Sequence, residues 1–250
     1  MQEVSFKFAG KCAVVTGGGS GMGAAIATLL AMSGAKVAVV DVNPKAAEAV
    51  AAKLPSGSAI AIGADVSSEA GTASYVQAAV KAFGRIDLFA NNAGILGKTG
   101  PLADAAVADY EQTFGVNVRG AFLGMRDVIR QMVAQGTGGS IVATASIAGL
   151  RASPSCSLYA ASKFALIGLV RTAAKEYGSK GIRINAICPA ATETNFSVMT
   201  DQTKNFMNSL IPMGRIANAD DMARAVAWLL SDGAGFVNGA ILPVDGGQTA

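Results

Sequence analysis

Along the chain, short apolar runs alternate with longer stretches in which apolar residues return every three or four positions. The runs at 12–16, 36–40, 59–62, 86–90, 140–144 and 182–188 are rich in Val, Ile and Ala and predict strands buried in a sheet. The stretches at 23–32, 44–54, 68–83, 104–135 and 157–177 predict helices, and a last helix at 220–230 leads into a seventh strand at 240–244. End signals agree. Asn43-Pro44 and Ser67-Ser68-Glu69 read as helix starts, while Gly34, Gly84 and Gly178 stand just past helix ends. Repeated strand–helix alternation implies right-handed crossovers and one parallel sheet covered by helices on both faces. The expectation is a single-domain α/β Rossmann fold over 1–250 with seven parallel strands, without repeats or linkers.

Composition narrows the chemistry. The 250 residues include no histidine, which removes Ser-His-Asp triads, Cys-His pairs, histidine metal sites and imidazole proton shuttles. An acid or base must then be Tyr, Lys, Cys, Asp or Glu. Cys12, Cys156 and Cys188 are odd in number and widely spaced, so they read as free thiols of a reducing cytoplasm rather than a disulfide frame or metal site. No metal is expected. A net charge of +3, without a run of basic residues, gives no nucleic-acid footprint. The opening Met1-Gln2-Glu3-Val4 does not resemble a signal peptide, and no apolar stretch is long enough for a membrane helix, so a cytoplasmic protein is expected.

The first strand runs into Thr16-Gly17-Gly18-Gly19-Ser20-Gly21-Met22-Gly23, with a helix directly after. Glycines there allow a tight turn and bring backbone N–H groups to a pyrophosphate at the helix N-terminus. Asp41, at the end of the second strand, suits the two hydroxyls of an adenosine ribose and would repel a 2′-phosphate. Neither position 42 nor 43 is basic, and Ser20 adds no positive charge, so NAD is expected in preference to NADP.

Tyr159 and Lys163 are four residues apart and share one helix face. An ammonium that close is expected to lower the tyrosine pKa and make it an acid–base group near neutrality. Ser146, read as ending the fifth strand, would lie at the carboxyl edge where open α/β sheets bind ligands.

The Thr-Gly-x-x-x-Gly-x-Gly loop, Asn91-Asn92-Ala93-Gly94, Ser146 and Tyr159-x-x-x-Lys163, in that order, strongly resemble the short-chain dehydrogenase/reductase family over essentially the whole chain. The resemblance implies that Tyr159 exchanges a proton with the carbonyl or alcohol oxygen and that Ser146 orients the substrate. Lys163 would hold the nicotinamide ribose, and Asn117 would hold a water that relays protons. Besides Gly17, Gly19, Ser20, Gly21, Met22, Gly23 and Asp41, the implied cofactor contacts are Asp65, Val66, Asn91, Ala93, Gly94, Tyr159, Lys163, Pro189, Thr192 and Thr194. Pro189-Ala190 stands where the family usually has Pro-Gly, and Thr192 where it has Ile or Val, so that turn is expected to differ. The Tyr–Lys spacing departs from the Tyr-x-x-x-Met-x-x-x-Lys of enoyl reductases.

The family keeps a mobile lid at 190–215, here containing Phe196, Met199, Phe206, Met207, Leu210, Ile211 and Met213. With Ile95, Leu96, Ala148, Leu150, Ser153 and Cys156 as walls, these side chains suit a largely uncharged ketone or secondary alcohol, although Arg151 lies near enough to Ser146 in sequence to meet an acid. The helix at 157–177 is apolar nearly all round, which together with the resemblance predicts a homo-oligomer, with a tetramer favoured. The expected activity is NAD-dependent alcohol–ketone interconversion. A 3-oxoacyl-thioester reductase is the nearest alternative, and a non-catalytic nucleotide-sensing module and a methyltransferase are more distant ones.

Overall fold

A computed structural model describes residues 6–194 and 200–250. Seven strands form one sheet: β1 (Cys12–Thr16), β2 (Lys36–Asp41), β3 (Ala59–Gly63), β4 (Leu88–Asn91), β5 (Gly139–Thr144), β6 (Ile182–Pro189) and, after the two short strands described below, β9 (Ile241–Val244). Their order is β3-β2-β1-β4-β5-β6-β9, and every pairing is parallel. The order reverses between β1 and β4, so the loops after those two strands diverge and leave a crevice at the carboxyl edge.

Both faces of the sheet are covered, which explains why its strands read as nearly continuous apolar runs. On one face Val14, Ala38, Val40, Phe89 and Ile141 pack against α3 (Glu69–Phe83), α5 (Ala121–Gln135) and α6 (Ser157–Tyr177). On the other, Ala13, Val15, Val37, Val39 and Val142 pack against α1 (Gly21–Met32) and α8 (Ala219–Leu230), with Ala47 of α2 (Pro44–Ala51) joining them. Successive residues of β1 and β2 thus go to opposite cores, as the two-residue period of a strand requires. The Asn43 and Ser68 side chains cap α2 and α3 by accepting from Ala46 and Gly71 N–H.

Two local expectations are corrected. The helix predicted at 104–135 is not continuous: α4 (Val107–Phe114) passes into a wider π-helical turn, Gly115–Gly120, before α5 begins. Apolar periodicity cannot register one added residue per turn. Gly178 does stand just past α6, but it stays right-handed (φ −57°), and the left-handed residue that frees the chain for β6 is Gly181 (φ 72°), one short helical turn later. Ser146 does not end β5, which stops at Thr144; it caps the next short turn, its Oγ accepting from Ala148 N–H at 3.1 Å.

Beyond β6 the chain leaves the sheet. A separate two-stranded ladder pairs β7 (Thr192–Glu193) with β8 (Ala217–Asn218), and α7 (Asp201–Leu210) lies between them in sequence. None of the described residues of α7 is buried. Phe196 and Met199, expected in the lid, lie outside the described residues, as does the Met1–Val4 start.

Candidate active site

Loops from all six strands β1 to β6 meet at the carboxyl edge around one cleft of about 1130 Å³. That exceeds the roughly 300–1,000 Å³ of an ordinary small-molecule pocket and leaves room for a large ligand beside a smaller one.

The glycine loop forms one end. Gly19 N–H donates to Asp41 Oδ2 at 3.0 Å and Asn43 N–H to Asp41 Oδ1 at 2.9 Å, so the carboxylate that ends β2 also braces the loop. A carboxylate has about four acceptor sites, and two remain for a ligand's hydroxyls. Thr16 Oγ1 accepts from Asn92 and Ala93 N–H (3.0 and 3.1 Å), and Asn92 Nδ2 donates to Thr16 O at 3.0 Å. These bonds lock the β1 and β4 loops together across the crevice. Close approach makes glycine obligatory at position 23, where a Cβ would collide with the Gly17 carbonyl. Gly94 has a similar role. A Cβ there would stand 3.2 Å from Asn117 Oδ1 and 3.4 Å from Lys163 Nζ, filling space beside both groups.

At the other end, Tyr159 and Lys163 rise from the first two turns of α6. The Lys163 side chain is buried; its Nζ donates to Thr144 O at 2.8 Å and lies 5.5 Å from the Tyr159 ring centroid. Asn117 sits in the π-helical turn with its amide engaged three ways: Nδ2 donates to Ile95 O and Ser162 Oγ, and Oδ1 accepts from Ile95 N–H. Sites of this kind are where π-helical turns concentrate.

The electrostatics correct one expectation. Tyr159 is not lowered but raised above its usual pKa, because burial disfavours the phenolate; a hydrogen bond with Ser146 works against that shift. Lys163 is itself lowered to about 8 by burial. Burial thus favours the protonated phenol at Tyr159.

Of the residues expected at the cofactor, Gly17, Ser20, Gly21, Met22, Gly23, Asp41, Asp65, Val66, Ala93, Gly94, Tyr159, Lys163, Pro189, Thr192 and Thr194 line the cleft. Gly19 and Asn91 stand behind the lining. The Asn91 side chain is turned inward, donating to Ala121 O at 2.9 Å. Ala190 keeps a negative φ; its N–H donates to Val244 O at 3.3 Å, so the Pro189-Ala190 turn needs no glycine. Sequence reasoning missed the Thr16 and Thr144 supports, which act through backbone contacts that no motif spacing signals. It also missed Gln248, which lines the cleft from the C-terminal segment.

A family model described as "Enoyl-(Acyl carrier protein) reductase", of the short-chain dehydrogenase/reductase type, matches residues 17–249. Levodione reductase of Leifsonia aquatica is 41% identical, the alignment covering 98% of this chain and 96% of the relative. A 2,5-dichloro-2,5-cyclohexadiene-1,4-diol dehydrogenase of Sphingobium indicum is 42% identical over 96% and 98%. The chain belongs to the short-chain dehydrogenase/reductases. A crystal structure of 3-ketoacyl-(acyl-carrier-protein) reductase from Brucella melitensis complexed with NADH superimposes with a TM-score of 0.91. It is 36% identical and covers 98% of this chain and 100% of its own. As a member of this family, the protein is a nicotinamide-dinucleotide-dependent oxidoreductase of the alcohol dehydrogenase/ketoreductase type.

Proposed function

We propose that this short-chain dehydrogenase/reductase interconverts a medium-sized, largely uncharged secondary alcohol and its ketone, using NAD(H), with Tyr159 as the acid–base group. The observation that carries the reading is the convergence of Ser146, Tyr159 and Lys163 on a cleft whose other end is braced by Asp41. The bound dinucleotide would supply or accept the hydride. In the reducing direction Ser146 and the Tyr159 hydroxyl hold the carbonyl oxygen, and Tyr159 gives it a proton as charge develops there. Lys163 then stabilises the phenolate left behind and holds the nicotinamide ribose. Asn117 holds the water through which that proton is replaced; one acceptor site of its Oδ1 is still open beside Gly94.

Asp41 supports NAD over NADP, since its carboxylate stands where a 2′-phosphate would bring a second negative charge. Relatives named for a cyclohexadiene-diol and for levodione favour a compact substrate over an acyl thioester. The 190–215 segment is read as the cover of the substrate end, with Phe206, Met207 and Leu210 of α7 lining the cleft.

A second copy of the chain is the proposed partner, as a homotetramer. Phe164 and Phe122 are about half exposed, beside a groove of about 910 Å³ between the α4–α5 region and α6. Ala165 and Gly168 line the same groove and allow a facing helix to come close. The three cysteines are free, in keeping with a reducing cytoplasm.

The test is an initial-rate screen of cyclic and aliphatic ketones and secondary alcohols with NADH, NADPH and their oxidised forms. Turnover with a clear preference for NAD(H) supports the reading. A preference for NADPH, or reduction of enones alone, defeats it. Sedimentation of the wild type and Phe164→Glu checks the assembly, which should dissociate in the variant.

A further inference from the structure

The outer groove beside α4 and α6 shares its walls with the active site. Within the π-helical turn, Val118 and Arg119 line the groove, while Asn117 is buried and its Nδ2 donates to Ser162 Oγ on α6 at 3.0 Å. The division repeats along α6: Tyr159 and Lys163 line the cleft, and Ala165 and Gly168 line the groove. Whatever fills the groove therefore bears on the elements that carry Asn117, Tyr159 and Lys163.

The chain leaves this region incomplete. Thr113, one turn before Asn117, is buried with a hydroxyl that makes no hydrogen bond, an arrangement that native interiors rarely tolerate. Glycine inside a helix is less stable than alanine, yet a Cβ at Gly115 or Gly168 would meet nothing of this chain within 4 Å. What needs glycine at those two places lies outside the chain, and a closely packed helix is such a neighbour. Charge says which helix. Glu111 and Arg119 both line the groove, and neither forms an ion pair among the described residues. In a two-fold contact, residue i meets residue j and j meets i. Glu111 of each copy then faces the partner's Arg119, and the same pair forms twice.

We propose that a second copy, seated on this groove through reciprocal Glu111–Arg119 pairs, is a positioning element for catalysis. It holds the π-helical turn and with it Asn117, so that a separated chain binds the dinucleotide but turns over slowly. This rests on the homo-oligomer proposed above. The experiment compares wild type, Glu111→Arg, Arg119→Glu and the double reversal. Its readouts are sedimentation, NAD-dependent oxidation of cyclohexanol, NADH titration and hydrogen exchange of the 113–120 amides. Each single reversal sets like charges opposite each other and should weaken association by about tenfold or more, and the double reversal should restore it. In dissociated chains kcat should fall about 10–100-fold, with NADH affinity close to wild type and faster exchange over 113–120. Dilution of the wild type should reproduce the loss without any substitution.

Dissociated chains with wild-type kcat and wild-type exchange would overturn the coupling. Single reversals that still assemble, or a double reversal that does not, would overturn the pairing. A wild type that sediments as a monomer removes the homo-oligomer reading and this inference with it. If cyclohexanol is not oxidised, the substrate reading is at fault, and exchange over 113–120 in assembled and dissociated chains decides the coupling by itself.

Discussion

The two ends of the cleft are built differently. At the glycine-loop end, ligand-facing groups are backbone N–H groups and a carboxylate, cross-braced by Thr16, Asn92 and Asp41 and backed by fully buried strands. At the far end the cleft is lined by α7, whose described residues are all at least partly exposed and whose Phe206 is 58% exposed. This helix is tied to the ladder region by an exposed ion pair, Lys204 to Glu193, and by Asn208 Oδ1, which accepts from Ile216 N–H at 2.7 Å beside β8. Exposed pairs contribute little, on the order of 0–1 kcal/mol. A constant ligand is met by a rigid cradle. The far end is lined instead by apolar side chains of a partly exposed helix, Phe206, Met207 and Leu210.

The largest expected effect lies where the two ends meet. Tyr159→Phe keeps the ring and its packing but loses the proton, so turnover should fall by about 10²–10⁴-fold while NADH titration stays near wild type. Activity close to wild type would remove Tyr159 from the mechanism. The cradle is tested by Gly23→Ala. The new methyl group meets backbone rather than a flexible side chain, so it should cost about 1–3 kcal/mol in stability or in nucleotide affinity. Ordinary NADH binding by a variant of unchanged melting temperature would show that the loop is not rigid.

Lys163 gives a pH signature of the junction. Burial lowers its pKa to about 8 from the ordinary 10.5, so the unfolded chain binds more protons between those limits. Burying its charge therefore costs stability below about pH 8, and the cost is relieved as pH rises toward 10.5. Relative to Lys163→Met, the wild type should gain melting temperature between pH 7 and pH 10, by about 2–4 °C for each kcal/mol relieved. A difference that does not change with pH would mean that burial leaves the amine's pKa at its unfolded value. The smallest effect is expected at the cover. Phe206→Ala should raise the substrate KM a few-fold and leave the NADH KM alone; a shift in both would join α7 to the cradle.

Much of this was legible in one dimension. Strand and helix patterns follow from burial, because a sheet covered twice must be apolar on both faces and its helices must repeat near every third or fourth residue. The glycine loop, Asp41, Tyr159 and Lys163 were legible because their spacing is set by local geometry: one tight turn, one strand length and one helical turn. The π-helical turn was not, since the pattern around Asn117 suits an ordinary helix equally well. Nor was the inward turn of Asn91 toward Ala121, which depends on a helix thirty residues away.

The sequence by itself therefore determined the fold class, the glycine loop after β1 and the pairing of Tyr159 with Lys163 on one helix face, all of which rest on short-range spacing. Tertiary structure decided the protonation chemistry and the substrate end. Burial raises Tyr159 and lowers Lys163, where adjacency along the helix alone had suggested a lowered tyrosine. Folding also brings Gln248, eighty-nine residues beyond Tyr159, to line the same cleft. Desolvation and long-range contact depend on what surrounds a group in three dimensions, and residue spacing carries no record of either.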